Sequence, residues 1–163
     1  MRFRTTTLIV VALSALVVAG GALAAAATST KVIAFTGKYA GTAVTKVTDN
    51  VADISATGSG SGTLIGAGKI TGKGSGDTSQ QPCVPFGGSG TLSGGGGTIA
   101  FRVLAASRGC GDEAGQVFSV VGKASVLRAT GKLARARGTL KFTGIYDRGA
   151  GTFSVKFSGS LTR

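Results

Sequence analysis

Thr152-Phe153-Ser154-Val155-Lys156-Phe157-Ser158-Gly159-Ser160-Leu161-Thr162 alternates without a break. Phe153, Val155, Phe157 and Leu161 fall on one side, and hydroxyl or charged residues fall on the other. A two-residue period marks a half-buried strand, because successive side chains leave an extended backbone on opposite faces. Gln116 to Val126 repeats the theme, with Phe118, Val120, Ala124 and Val126 on one face, and so do Ile99, Phe101, Val103 and Ala105. Beyond the N-terminal stretch no segment shows a helical period. The pattern predicts strands near 31–41, 42–48, 50–57, 62–73, 88–93, 97–107, 116–127, 138–146 and 151–162, separated by short breaks rich in Gly, Ser and Asp. Asp147-Arg148-Gly149-Ala150-Gly151 is the turn between the last two. Regular short strands of this kind make the chain all-β, a barrel or a sandwich.

A recurring pair of residue types favours the barrel. Phe35-Thr36-Gly37-Lys38-Tyr39 returns as Phe142-Thr143-Gly144-Ile145-Tyr146, and Phe157-Ser158-Gly159 echoes it. Each puts an aromatic ring and a glycine on the same face. Alternating large and small inward positions suit a narrow barrel, and glycine lets a strand coil where the sheet closes. The expectation is a single antiparallel barrel of about eight strands, with a β-sandwich as the alternative. Phe35, Tyr39, Phe118, Phe142, Tyr146 and Phe157 are its interior candidates. The first and last strands share the pattern, which fits their lying side by side at closure.

The N-terminus reads as an export signal. Arg2 and Arg4 form a positive n-region, Leu8 to Val18 is apolar apart from Ser14, and Ala22-Leu23-Ala24 offers small residues for cleavage. Residues 1–24 are therefore expected to be a signal peptide and 25–163 the barrel domain, placing the protein outside the cytoplasm, secreted or at the cell envelope. That domain has 163 − 24 = 139 residues, enough for one core. It keeps 16 of the 18 bases against 6 acids, a net charge of +10. An exported chain with two cysteines, Cys83 and Cys110, is expected to join them, which closes a long loop and contributes about 3–4 kcal/mol.

The C-terminal portion, from Arg128 onward, resembles the end of allene oxide cyclase and dirigent-type barrels. Those families carry a Gly-Thr-Gly-x-aromatic-x-Gly-Ala-x-Gly segment before their final two strands. In Ala129-Thr130-Gly131-Lys132-Leu133-Ala134-Arg135-Ala136-Arg137-Gly138, the residues Thr130, Gly131, Ala136 and Gly138 match. Ala129, Leu133 and Arg135 depart from the pattern. In overall composition the chain also looks like small exported β-proteins of actinobacteria. The resemblance implies an eight-stranded antiparallel barrel with room for a cavity, and no reaction.

Catalytic signatures are absent from the sequence. Without histidine there is no Ser-His-Asp or Cys-His arrangement and no His-bearing metal site, so no catalytic residue, metal or cofactor is expected. Asp49, Asp77 and Asp147 read as turn residues. The strongest binding signal is charge: Arg128, Lys132, Arg135, Arg137 and Lys141 lie within fourteen residues. In an exported protein such a basic face points to an anionic cell-wall polymer or a membrane surface. With no Trp, base stacking and specific nucleic-acid binding are poorly supported. Three readings follow: a non-enzymatic barrel whose basic face associates with the envelope, a carrier or cyclase-like barrel for a small apolar ligand, and an interaction module built on the disulfide-tied loops.

Overall fold

In the computed structural model, which describes residues 30–80 and 82–163, the alternating segments become nine antiparallel strands. They are β1 (Val32–Thr48), β2 (Val51–Gly62), β3 (Gly66–Asp77), β4 (Cys83–Gly94), β5 (Gly97–Val103), β6 (Arg108–Gly111), β7 (Val117–Ala129), β8 (Arg137–Asp147) and β9 (Thr152–Thr162). Neighbours in sequence pair with one another, except that β5 and the short β6 lie in tandem between β4 and β7. The β1–β9 and β3–β4 pairings leave no edge. The result is a closed eight-stranded barrel with β6 as an extra strand, which removes the sandwich alternative. The segment read as a signal peptide, 1–24, lies outside the described residues, as does the first part of the barrel domain as read from the sequence.

Several strand limits differ from the sequence expectation. Segments 31–41 and 42–48 are one strand, β1, which is long because it pairs with β9 along its first part and with β2 along its second. The strand expected at 62–73 is β3 at 66–77, and 50–57 extends to Gly62. The strand expected at 88–93 begins at Cys83, and 97–107 ends at Val103, so Ala105 is exposed in a turn rather than on the inner face. The errors cluster in β2–β4, whose inward positions are largely glycine. In Gly58-Ser59-Gly60-Ser61-Gly62 and Gly72-Lys73-Gly74-Ser75-Gly76 the period of two is carried by glycine, and a hydrophobicity count passes over it.

Those glycines are what the closure of the sheet requires. In the β1–β9 register Phe35 faces Gly159 and Gly37 faces Phe157, so each ring lies over a residue without a side chain. Gly90 faces Phe101 in the same way, and a Cβ on Gly90 would come within 2.6 Å of that ring. At Gly60 a Cβ would meet the backbone of Tyr39 at 2.6 Å. A methyl at either position would have to push a ring or a neighbouring strand outward. The motif read from sequence as a barrel device is thus a pairing rule between strands.

Candidate functional site

The two ends of the barrel are built differently. At the end formed by the β2–β3, β4–β5 and β7–β8 connections, Phe35, Leu92, Ile99, Leu133, Leu140 and Leu161 have no exposed surface. The β7–β8 connection crosses this end as a cap. Its single 3-10 turn, Gly131–Leu133, sends Leu133 into the barrel, and Ala136 follows it. The cap is latched by backbone: the Lys132 N–H donates to Gly96 O (2.8 Å) and the Thr130 N–H to Thr98 O (3.0 Å). The hydroxyls of Thr98 and Thr130 meet at 2.8 Å. Gly131 has φ +61° and sits against Gly96–Gly97, with 2.7 Å between its Cβ position and Gly97 Cα. Both the conformation and the space exclude a side chain there.

Above this plug, three phenylalanines form a floor. Phe157 stands 5.5 Å from Phe101 and 5.9 Å from Phe142, ring centre to ring centre, in tilted contacts favoured by aromatic quadrupoles. Beyond the floor the barrel is hollow. A cavity of about 240 Å³ opens at the end where β1–β2, β3–β4, β6–β7 and β8–β9 turn. The side formed by β7, β8 and β9 is aromatic, with Phe118, Phe142, Tyr146, Phe153 and Phe157, and Phe86 of β4 reaches toward it, 6.2 Å from Phe142. Strands β1 to β4 line the facing side with small residues, Ala43, Ala52, Ala56, Gly72, Gly74 and Gly88, interspersed with Ile54, Ile70 and Val84. Glycine and alanine at many of the inward positions of β1 to β4 leave space that the rings opposite do not fill.

Polar groups at the cavity are few. Tyr146 and Thr45 share a hydroxyl hydrogen bond of 2.5 Å, which bridges β8 and β1, and Arg148 is on the exposed β8–β9 turn. Lys73 borders the cavity, but its side chain is on the outward face of β3. No carboxylate is among the lining residues. Below the cavity, Tyr39 is buried with its hydroxyl unpartnered and aimed toward Gly62, and burial raises its pKa.

The mouth is tied covalently and by turn carboxylates. Cys83 and Cys110 are bonded, directly opposite one another in the β4–β6 pair. Asp112 accepts the Gln116 N–H at 2.8 Å and the Val117 N–H at 3.3 Å, and these bonds lower its pKa. Asp77 accepts the side-chain hydroxyl and the N–H of Ser79, with the same consequence. Asp147 accepts the Ala150 N–H. Of the aspartates read as turn residues, Asp77 and Asp147 hold turns around the opening in this way, with Asp112 added, and Asp49 stands in the β1–β2 turn at φ +48°.

Of the interior candidates, Phe35 and Tyr39 lie within the closed half, Phe142 and Phe157 make the floor, and Phe118 and Tyr146 stack 6.2 Å apart in the cavity wall. Of the basic candidates, Arg128, Lys132, Arg135 and Arg137 gather at the capped end. Lys141 is instead on the outer wall opposite Lys123. Lys31 and Arg163 join the capped-end group, which sequence proximity could not show. Their backbones pair, and the Arg163 guanidinium donates to Lys132 O at 2.9 Å. Comparison with family models, with curated proteins and with solved structures finds no match.

Proposed function

We propose that this chain is an exported binding protein that holds a small, largely apolar molecule inside its barrel. The observation that carries the reading is the cavity: about 240 Å³, apolar on its walls, and open at one end while the other is plugged. Apolar cavities of roughly 150 Å³ already take up benzene, so this one suits a molecule of about one or two rings. The Tyr146–Thr45 hydroxyl pair and Arg148 offer the few oriented polar groups such pockets use to fix a ligand. A role in binding rather than catalysis is supported by the absence of histidine from the chain and of carboxylates from the lining. Work outside the cytoplasm is supported by the bonded cysteine pair, since such bonds persist where the surroundings are oxidising.

The test uses 1-aminonaphthalene, whose fluorescence rises on leaving water. The chain has no Trp, so the signal is read without indole background. Wild-type protein should enhance the emission saturably. Ala56→Phe, which fills the cavity from β2, should weaken binding at least tenfold, on the order of 1.4 kcal/mol, while the far-ultraviolet spectrum stays that of a β-protein. No enhancement by the wild type, or equal binding by the filled variant, would overturn the reading.

A further inference from the structure

Charge is segregated along the barrel axis. All six acids of the chain, Asp49, Asp53, Asp77, Asp112, Glu113 and Asp147, are in the turns and strand ends around the mouth. Three bases share that end: Lys46, Arg108 and Arg148. Six acids against three bases give the mouth a net charge of −3. The capped end carries Lys31, Arg128, Lys132, Arg135, Arg137 and Arg163, all exposed, and no acid, for a net charge of +6. The other seven bases among the described residues are spread around the wall.

Two turns put large side chains into solvent at the capped end. Arg135, in the cap, holds φ +66°, and Leu64, at the tip of the β2–β3 turn, holds φ +63°. Non-glycine residues rarely adopt this conformation, and a bulky side chain there carries strain. The turns set these angles: Arg135 is the third residue of a turn closed by the Ala136 N–H on Leu133 O at 2.9 Å, and Leu64 is the centre of the β2–β3 hairpin, so both side chains are held outward, exposed. Val32 and Leu127 are also exposed at this end, so apolar side chains sit among the bases. Exposed valines occur near the mouth too, at Val44, Val47 and Val51, but there they stand among carboxylates.

We propose that the capped end is a docking face for an anionic lipid bilayer, which seats Arg135 and Leu64 at the headgroup layer and holds the mouth of the cavity away from the membrane. Bases attract an anionic leaflet, and interspersed apolar side chains enter the boundary between headgroups and acyl chains. The acids at the mouth are repelled by the same surface, so the charge distribution sets orientation as well as attraction. The proposal does not depend on the cavity being occupied.

The experiment uses the full chain with phosphatidylcholine vesicles, with and without 30 mol% phosphatidylglycerol. The part of binding that requires phosphatidylglycerol should fall about tenfold or more in Lys132→Glu/Arg135→Glu, which reverses two charges facing such a surface. It should stay within about twofold in the wall variant Lys73→Glu/Lys123→Glu, which changes the net charge equally. Because the chain lacks Trp, Leu64→Trp supplies a single probe. Its emission should shift to the blue on phosphatidylglycerol vesicles, and that of Ala150→Trp in the β8–β9 turn should not. Equal loss in both charge variants, equal binding to both vesicle types, or a shift at Ala150→Trp alone would overturn the proposal. So would binding confined to soluble polyphosphate, which would assign the face to a dissolved polymer.

Discussion

The capped end and the open end of this barrel are made from the same strands and held by different means. At the capped end side chains do the holding: Leu92, Ile99, Leu133, Leu140 and Leu161 fill the interior, and the cap is latched through Gly96, Thr98, Thr130 and Gly131. At the open end the interior is left empty. There a disulfide and the hydrogen bonds of Asp77, Asp112 and Asp147 keep the turns in place. A barrel that keeps a cavity gives up apolar burial at that end, and local ties around the rim take its place.

The largest effect is expected at the tie itself. Replacing both cysteines with serine should lower stability by about 3–4 kcal/mol by the chain-entropy argument, with hydrogen exchange rising first in β6 and the start of β4. If exchange rises first in the cap, the division of labour between the ends is wrong. Next is packing. Leu133→Ala should cost about 3 kcal/mol in urea unfolding, within the usual range for a fully buried leucine. Val47→Ala, at the open end, should cost well under about 1 kcal/mol because Val47 is already exposed. Similar losses would erase the distinction.

A smaller effect of opposite sign is expected at Tyr39. Its hydroxyl is buried and unpartnered, so Tyr39→Phe should raise stability by about 1 kcal/mol. Burial raises the folded-state pKa of this phenol. Its neutral form therefore supports folding fully below the unfolded value near 10, and that support is lost as pH rises through the folded value. The alkaline loss of stability should be shallower in Tyr39→Phe. The smallest effect is at the rim. The Asp112 pKa is lowered by the Gln116 and Val117 amides, so its contribution is present above the ordinary carboxylate range and lost as pH falls through the lowered value. The Gln116 amide resonance should titrate with a midpoint below that of an ordinary aspartate, and Asp112→Asn should abolish the titration.

The same contrast explains what could be read from sequence. Strands β7, β8 and β9 carry rings and branched residues at most of their inward positions, so their period and inner face are visible, Phe142 and Phe157 included. Strands β2 to β4 carry glycine at those positions, and glycine contributes nothing to a hydrophobic period, so their limits drifted by several residues. The cavity was harder still. It depends on the register that brings Gly72 beside Gly90 and Gly74 beside Gly88, and register is a property of pairs of strands rather than of any one segment. Arg128, Lys132, Arg135 and Arg137 share one end, as their closeness in sequence suggests, but the same closeness brings in Lys141, which is on the wall. Lys31 and Arg163 became their neighbours only when β1 and β9 met.

The glycine wall also limits how this pocket could be altered. At Gly74 an added methyl would approach Gly87 O at 2.6 Å, and at Gly88 it would approach Gly74 Cα at 2.7 Å, so either change strains the sheet. Gly72 is different: the nearest atom to a methyl there is Ser89 O at 3.5 Å, an ordinary contact. The backbone on this side is effectively a fixed template, with Gly72 as its one adjustable point among these three. Descendants of this chain that came to prefer a narrower guest would be expected to change at Gly72 or on the aromatic side, and to leave Gly74 and Gly88 as they are.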